Sequence, residues 1–196
     1  MQALIHHMRP SKPLEDITVV QAMGNIDSSP GPYDAVELGR TLASRWQGRF
    51  VTLNVPAILP DQETCRQFLA LDQIKQVIRQ LGRVNQAFVG IGTLENSVFV
   101  ERGVLKPEQV SILRKAGAVG EMLGRFYDAR GHECRTEFRD RVVSLPLQQV
   151  RAIPEVTAVV TGADRSRAVA AAIRGGLIKG VVIDETAAAA VLEEKD

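Results

Sequence analysis

Short apolar runs rich in valine and isoleucine recur along this chain, and segments with helical periodicity separate them. Strands that alternate with helices are typical of parallel sheets, because each parallel connection needs a crossover that is usually a helix. The pattern therefore predicts an α/β fold with a mostly parallel, Rossmann-like sheet and flanking helices. The runs lie at residues 17–23, 50–57, 86–92, 156–161 and 180–183.

Three of the helical segments carry boundary signals. Gly48 is expected to stop a helix that begins near Asp34. Gly82 is expected to close a second helix, which Asp72 can cap. Pro107 fits the first turn of a third, because its missing N–H has no partner there in any case.

The alternation of apolar runs with helical segments is interrupted between residues 126 and 145. Segments 126–128 and 139–145 flank a polar turn at residues 129–132. Two short strands joined by a polar turn favour a hairpin over a crossover. We therefore predict a small hairpin insertion near residues 126–145.

Length and charge limit what the chain can do. With 196 residues, 45% of them hydrophobic, it can bury one full core, and one domain is the simplest arrangement. The 24 basic and 23 acidic residues leave a net charge of +1. Since nucleic-acid binding needs a broad positive field, this chain alone is not expected to bind DNA.

The remaining composition favours a soluble, cytoplasmic protein. Cys65 and Cys134 are far apart, which is neither a disulfide framework nor a pattern of metal ligands. There is no apolar run of about 18 residues that could span a bilayer. His6, His7 and Arg9 interrupt the N-terminal apolar stretch, so no signal-peptide core is present. We expect no cofactor, no metal and no membrane partner.

Small and polar residues follow four of the predicted strands. In open α/β sheets, ligands bind beyond the carboxyl ends of the strands, where helix N-termini present free N–H groups. Carboxylates, amides and glycines at such an edge suit a ligand rich in hydroxyls, but the same residues are ordinary turn formers. They are Gly24, Asn25, Ile26, Asp27 and Ser28, then Gly92 and Thr93, then Gly162, Ala163, Asp164 and Arg165, and finally Asp184, Glu185 and Thr186.

Four motifs follow one another in the C-terminal half: GAVGEMLGRFYD at 117–128, TGADR at 161–165, RGGLI at 174–178 and DET at 184–186. In this order and approximate spacing, they resemble the effector-binding domain of SorC-type bacterial transcriptional regulators. Regulators of this family sense sugars or sugar phosphates.

The resemblance implies a domain organisation and a set of partners. Residues 1–16 would be an N-terminal helix remnant or arm, and residues 17–196 the sugar-binding effector domain. The assembly would be a homodimer or homotetramer, and DNA would be contacted only through a region absent from this chain.

Five candidate ligand-binding residues lie in and beyond the loop after the first strand. The resemblance matches Gly24, Asn25, Ile26 and Asp27 to a loop that contacts the effector. It matches Asp34 to a polar effector contact in some members, although this residue would serve equally well as a plain N-cap.

Two further candidates, Glu121 and Arg165, are charged. The resemblance matches Glu121 to an acid that hydrogen-bonds effector hydroxyls; the alternative is a structural ion pair with a nearby arginine. Arg165 stands where the family usually has a lysine. Arginine keeps the charge and adds a planar fork for phosphate, but it cannot form a Schiff base. Some members of the family bind phosphate with a Gly/Thr loop, and that loop would precede Met1. The resemblance therefore supports phosphate recognition less strongly than sugar recognition.

These features favour a ligand-sensing domain of a SorC-like regulator over an enzyme. The alternative is a sugar-phosphate isomerase or deaminase-like enzyme, because the family's effector domain resembles such enzymes in fold. Its carboxylate base would be Glu121, Asp27 or Asp184. A third possibility is a non-binding paralogue that serves only in oligomerisation.

Overall fold

A computed structural model of the chain describes residues 1–9, 16–26 and 34–194. The strands of this described part are β1 (Thr18–Val20), β2 (Arg49–Val51), β3 (Gln86–Val89), β4 (Gly120–Met122), β5 (Arg125–Tyr127), β6 (Glu155–Val160) and β7 (Gly180–Ile183). The helices are α1 (Gln2–His7), α2 (Ala35–Arg45), α3 (Gln62–Ala70), α4 (Asp72–Leu81), α5 (Val98–Glu101), α6 (Pro107–Lys115), α7 (Leu147–Ala152), α8 (Ser166–Arg174) and α9 (Glu185–Glu193).

The strands form two parallel sheets and one hairpin. β1 and β2 pair in parallel, with Thr18 opposite Arg49. In the second sheet β6 lies between β3 and β7, and both pairs are parallel. β4 and β5 are antiparallel. The predicted α/β fold, with mostly parallel Rossmann-like sheets and flanking helices, is confirmed.

The regular strands are shorter than the apolar runs that predicted them. β1 ends at Val20, and the chain then changes partners, since Met23 forms an antiparallel bridge to Ser144. β2 ends at Val51 although the run continues to residue 57. The N–H of Leu53 donates to the side-chain oxygen of Gln21 at 3.1 Å. A side-chain acceptor therefore takes the place of a strand-to-strand backbone hydrogen bond at this residue.

The chain reverses at the predicted polar turn, since Tyr127 forms an antiparallel bridge to Glu133 and the N–H of Asp128 donates to the carbonyl of His132 at 2.9 Å. A regular hairpin of β4 and β5 lies just upstream of this turn. Gly120 pairs with Tyr127, so the expected pairing of residues 126–128 with residues 139–145 is wrong. The turn consists of Leu123 and Gly124, both with positive φ (54° and 75°), as in the two-residue turns that match strand twist. Residues 139–145 instead begin with a short 3-10 turn and then bridge other segments of the fold. Leucine is uncommon at positive φ, so the sequence did not indicate a turn at Leu123 and Gly124.

Most of the predicted helix boundaries are confirmed. Asp34 caps α2, Gly82 follows the last residue of α4, and Pro107 is the first residue of α6. Asp72 is not a cap: Leu71 holds that position without a side-chain bond, and Asp72 is the first residue inside α4.

Three apolar clusters form the core. The largest packs the second sheet against α7 and α8, with Val156, Ala158 and Val169 almost fully buried. A second joins Phe99, Phe126 and Phe138 beneath the hairpin, and a third lies between the β2 region and α3 and α4. No helix in the described ranges is long and apolar enough to cross a membrane.

Candidate functional site

The loops that follow the strands of the second sheet are joined by hydrogen bonds. After β3, the N–H of Thr93 donates to the side-chain oxygen of Asn96 at 2.7 Å. The amide nitrogen of Asn96 donates in turn to Asp164, in the loop after β6, at 2.6 Å. Asp184, after β7, accepts from the N–H of Gly162 at 2.7 Å. The three carboxyl ends therefore form one continuous polar edge.

Glu121 joins this edge through the hairpin. Its backbone N–H and C=O exchange hydrogen bonds with Gly92 at 2.8 and 2.9 Å, so β4 begins beside the end of β3. The preceding Gly120 lies under the ring of Tyr127, which leaves no room for a Cβ atom. The glycine of this motif is therefore a packing requirement of the hairpin that carries Glu121.

The Glu121 side chain is buried without a counter-charge. The residue is 8% exposed, and one carboxylate oxygen accepts from the N–H of Gly124 at 2.6 Å. Among the described residues it forms no ion pair; the nearby Arg125 pairs with Glu133 at 2.7 Å instead. Burial raises the pKa of Glu121 to about 7, and the hydrogen bond from Gly124 opposes that rise. The alternative of a structural ion pair is therefore not observed.

The hairpin turn also reaches the loop after β1. A Cβ atom on Gly124 would lie 3.3 Å from the sulfur of Met23. Met23 directly precedes Gly24, Asn25 and Ile26, so these predicted residues follow a side chain that packs on the turn holding Glu121.

These three residues have different local roles. Gly24 is enclosed by backbone, and a Cβ there would lie 2.6 Å from the carbonyl oxygen of Val55. Ile26 packs against the Phe99 cluster. Asn25 carries the polar group: its side-chain oxygen accepts from buried Gln21 at 2.8 Å, while its amide nitrogen has only a long contact of 3.4 Å to Asn54.

The remaining candidates near the first loop are less informative. Asp27 lies outside the described residues. The carboxylate of Asp34 accepts from the N–H of Val36 at 3.2 Å, so it acts as the N-cap that the sequence offered as an alternative.

Arg165 lies at the edge and is held there by its neighbours. One guanidinium nitrogen donates to the carbonyl of Thr161 at 2.8 Å and to Asp164 at 3.2 Å. Its Nε and second terminal nitrogen have no hydrogen-bond partner within the described ranges, and the side chain is 27% exposed. The same Asp164 binds Asn96, so Arg165 belongs to the network that joins the strand ends.

Sequence reasoning missed two residues that organise this site. Gln21 positions Asn25, and a single amide within an apolar strand was the signal for it. Asn96 ties the loop after β3 to Asp164, but in sequence it is one polar residue of a turn and has no distinguishing feature.

The geometry limits the chemistry that this edge can perform. Asp184 caps α9 and binds Gly162, and these backbone N–H groups lower its pKa, so it is a poor base. No group of three or more His, Cys, Asp or Glu side chains in the described ranges could hold a metal ion. What remains is an acceptor at Glu121, a donor at Asn25 and a cation at Arg165, a set that suits hydroxyl groups and an anion.

Comparison with known proteins identifies relatives of this chain. Residues 1–193 match the protein family described as "Putative sugar-binding domain". The "Uncharacterized transcriptional regulator YjhU" of Escherichia coli strain K12 is 28% identical over 185 residues, which cover 92% of this chain and 56% of that protein. The "Deoxyribonucleoside regulator" of Bacillus subtilis strain 168 is 25% identical over 195 residues, which cover 99% of this chain and 62% of that protein. The chain thus spans less than two thirds of either relative.

A solved structure shows the same fold. The full-length sorbitol operon regulator SorC from Klebsiella pneumoniae superposes with a TM-score of 0.89, covering 98% of this chain and 63% of that one at 18% identity. At this identity the likeness concerns the fold alone. Because the family match extends over nearly all of the sequence, the chain belongs to the family of putative sugar-binding domains.

Proposed function

We propose that this protein binds a sugar or sugar phosphate at the polar edge that contains Asn25, Glu121 and Arg165. The observation that carries the proposal is the Glu121 carboxyl group, which is buried with one hydrogen bond and no counter-charge among the described residues. Burying such a group without a full set of partners costs free energy, and a hydroxyl-rich ligand would supply the missing donors.

Asn25 complements Glu121 as a donor. Gln21 occupies its side-chain oxygen, so its amide nitrogen, with only the long Asn54 contact, remains for a ligand oxygen. The buried position of Gln21 fixes this orientation before any ligand arrives, which lowers the cost of ordering the site.

Arg165 supports an anionic group on the ligand. Two of its guanidinium nitrogens are without protein partners in the described part of the chain, and arginine binds phosphate through two parallel hydrogen bonds. The Bacillus subtilis relative is named as a deoxyribonucleoside regulator, so compounds that contain deoxyribose are worth testing, with and without a phosphate.

The binding event would act on DNA elsewhere in a longer protein. The chain is nearly neutral and spans only part of its relatives, one of which is named as a transcriptional regulator and the other as a deoxyribonucleoside regulator. A ligand can change DNA affinity only if it binds two conformations of the regulator with different affinity.

Assembly with a second copy belongs to the same proposal. β7 is an edge strand whose Val181 and Val182 are 39% and 45% exposed. Leu192 on the following helix is also exposed, so this side of the domain offers apolar surface to a partner. A homodimer or homotetramer would bury it, and sedimentation over a range of concentrations would show association.

A second candidate function is sugar-phosphate isomerisation, because a carboxylate whose pKa lies at about 7 is suited to general acid–base catalysis. We favour binding alone, since the other described candidate base, Asp184, is committed to backbone hydrogen bonds. Turnover of ribose phosphate or glucosamine phosphate by the purified chain would establish the enzyme instead.

Calorimetric titration tests the proposed function. The probes are ribose, sorbitol, deoxyribose phosphate and glucosamine phosphate, each added to the folded chain. Saturable binding of at least one probe without turnover supports the sensor. If none of them binds at millimolar concentration, sugar sensing by this chain is contradicted.

A further inference from the structure

Asp164 uses both of its carboxylate oxygens within the polar edge. One oxygen accepts from the amide nitrogen of Asn96 at 2.6 Å. The other accepts from the guanidinium of Arg165 at 3.2 Å. The Asp164 side chain is nevertheless 58% exposed, so its carboxylate faces solvent. A negative charge is thus fixed at the surface, directly beside the cation of the candidate site.

Asn96 holds this carboxylate from the loop after β3. Its side-chain oxygen accepts from the N–H of Thr93 at 2.7 Å, which leaves the amide nitrogen to face Asp164. The Thr93 hydroxyl accepts in turn from the N–H of Asn96 at 3.3 Å. Side chain and backbone of Asn96 are therefore both tied to one buried residue. A donor oriented in this way restricts the carboxylate to few positions.

The same amide lies close to Glu121. A Cβ atom on Gly92 would lie 3.7 Å from the side-chain oxygen of Asn96 and 3.0 Å from the carboxylate of Glu121. The two side chains are therefore neighbours across one glycine. Asn96 and Asp164 thus belong to the surroundings of the candidate ligand acceptor.

The local backbone makes room for the contact between Asp164 and Arg165. Gly162 has a φ of 90° and a ψ of 135°, a conformation that glycine adopts far more readily than other residues. A Cβ atom there would lie 2.6 Å from the Asp164 carboxylate and 3.3 Å from a guanidinium nitrogen of Arg165. The missing side chain therefore leaves the space in which the two charged groups meet.

Arg165 keeps only part of its guanidinium for a ligand. One terminal nitrogen donates to the carbonyl of Thr161 and to Asp164, which uses both of its hydrogens. Nε and the other terminal nitrogen have no hydrogen-bond partner among the residues that the structure describes. These two nitrogens form one side of the planar fork, which matches an acceptor with two oxygens.

An anion that binds this side of Arg165 also approaches carboxylates. Asp164 is in contact with the same guanidinium, and Asp184 binds the N–H of the nearby Gly162 at 2.7 Å. Each carboxylate repels the anion, and the repulsion grows in proportion to the charge that the anion carries. The edge therefore distinguishes ligands by their charge as well as by their hydroxyl groups.

We propose that Asp164, positioned by Asn96, determines the specificity of the site by opposing a high negative charge on the ligand at Arg165. The inference rests on the proposed sugar-binding function and narrows its class of ligand. Asp164 shifts the preference toward a sugar that is neutral or carries a single negative charge, and away from a dianionic phosphate. Asp164 acts on the ligand through Arg165, and Asn96 is a positioning residue that acts through Asp164.

The test measures anion binding at Arg165 directly, so it does not depend on the identity of the sugar. Methyl phosphate is the first probe, because a phosphate ester carries about two negative charges at neutral pH. Acetate, with a single charge, is the second. Nuclear magnetic resonance follows the Nε–H signal of Arg165 as each probe is added to the full chain at constant ionic strength.

Two variants are compared with the wild type. Asp164→Asn removes the charge and keeps the size of the side chain. Glu155→Gln is the control, because it removes a charge from an exposed residue at the opposite end of β6. At that separation, salt screens the interaction with a ligand at Arg165.

Asp164→Asn should tighten methyl phosphate binding by about tenfold and acetate binding by about threefold, since the repulsion follows the charge of the probe. Glu155→Gln should change neither affinity. Equal affinities in the wild type and Asp164→Asn would overturn the proposal, as would the same gain for both probes. If neither probe shifts the Arg165 signal in either protein, the cation is closed to anions and the proposal is also wrong.

Asn96→Ala tests the positioning step. Without its second hydrogen bond, the Asp164 side chain can turn into solvent, so methyl phosphate should bind more tightly, by a smaller factor than in Asp164→Asn. In the Asp164→Asn background, the same change should have no further effect, because coupled residues are not additive. Additive effects would contradict the role of Asn96. Calorimetry with sugars is separate: if no sugar binds while the anion affinities change as expected, the proposed function fails and the charge effect of Asp164 stands.

Discussion

Gly124 donates its backbone N–H to the carboxylate of Glu121 at 2.6 Å, across a two-residue turn that only the folded hairpin forms. The geometry depends on positive φ at both Leu123 and Gly124. Strained backbone of this kind persists only where surrounding packing holds it, and it is concentrated at functional sites. The hairpin therefore places an acid at the edge and orients it with the same turn.

We expect the stability of the protein to report the ionisation of Glu121. Burial raises its pKa from 4.5 to about 7, so folding favours the protonated form. The resulting stabilisation is complete below pH 4.5 and is lost as pH rises to about 7. Across this window the free energy of unfolding of Glu121→Gln should rise relative to wild type by up to about 3 kcal/mol. Urea denaturation at several pH values measures it, and a difference independent of pH would contradict the assignment.

Replacing Glu121 by glutamine should weaken sugar binding without unfolding the chain. An amide cannot accept from as many hydroxyl groups as a carboxylate, and the expected loss is about 1–3 kcal/mol. Calorimetry with whichever probe binds the wild type measures the loss. Glu155→Gln makes the same change at an exposed residue at the start of β6, the opposite end of the sheet, and should leave affinity unchanged. Equal affinity in all three proteins would remove Glu121 from the site.

A methyl group at Gly92 should displace the Glu121 carboxylate. A Cβ there would lie 3.0 Å from its second oxygen, which is tighter than ordinary packing. Gly92→Ala should therefore lower sugar affinity several-fold with little loss of stability. Gly90→Ala is the matched control, because no atom lies within 4 Å of its Cβ position. Similar affinities for the two variants would show that the exact position of the carboxylate is unimportant.

Arg165 should distinguish phosphorylated from neutral ligands. If the effector carries a phosphate, Arg165→Ala should cost about 2–4 kcal/mol of binding, as expected when one partner of a charge-assisted pair is removed. Binding of the unphosphorylated sugar should change much less. Arg83→Ala removes an exposed arginine near the start of β3 and serves as the control. Equal, small losses for sugar and phosphate would leave Arg165 as a residue that only binds Asp164 and Thr161.

Arg125 should be essential for stability. Its guanidinium is 8% exposed and binds Glu133 at 2.7 Å, the Ser144 hydroxyl at 2.9 Å and two backbone carbonyls. Removing it leaves the partly buried Glu133 without its closest partner, so Arg125→Ala should lower the free energy of unfolding by about 3–5 kcal/mol. Arg139, a more exposed and more distant partner of Glu133, should cost less than about 1 kcal/mol when replaced by alanine. Comparable urea midpoints for the two variants would contradict this ranking.

The sequence by itself determined the parallel strands β1, β2, β3, β6 and β7 and several of the helix ends. The signals involved are local: apolar periodicity for the parallel strands, Asp34 as a cap, and Gly82 and Pro107 at helix boundaries. The motif around Glu121 and the candidates Asn25 and Arg165 were also found from sequence, although their binding roles stay predictions.

Only the tertiary structure decided which segments pair and which charges meet. β5 pairs with β4 and not with residues 139–145, because Leu123 adopts a backbone conformation that its side chain disfavours. Arg125 binds Glu133, and within the part of the chain that the structure describes Glu121 has no counter-charge, although several arginines lie near in sequence. The division of the parallel strands into a β1–β2 sheet and a β3–β6–β7 sheet likewise has no local signal, since each strand has the same apolar pattern in either arrangement. These features depend on contacts between residues distant in sequence, and no local pattern encodes them.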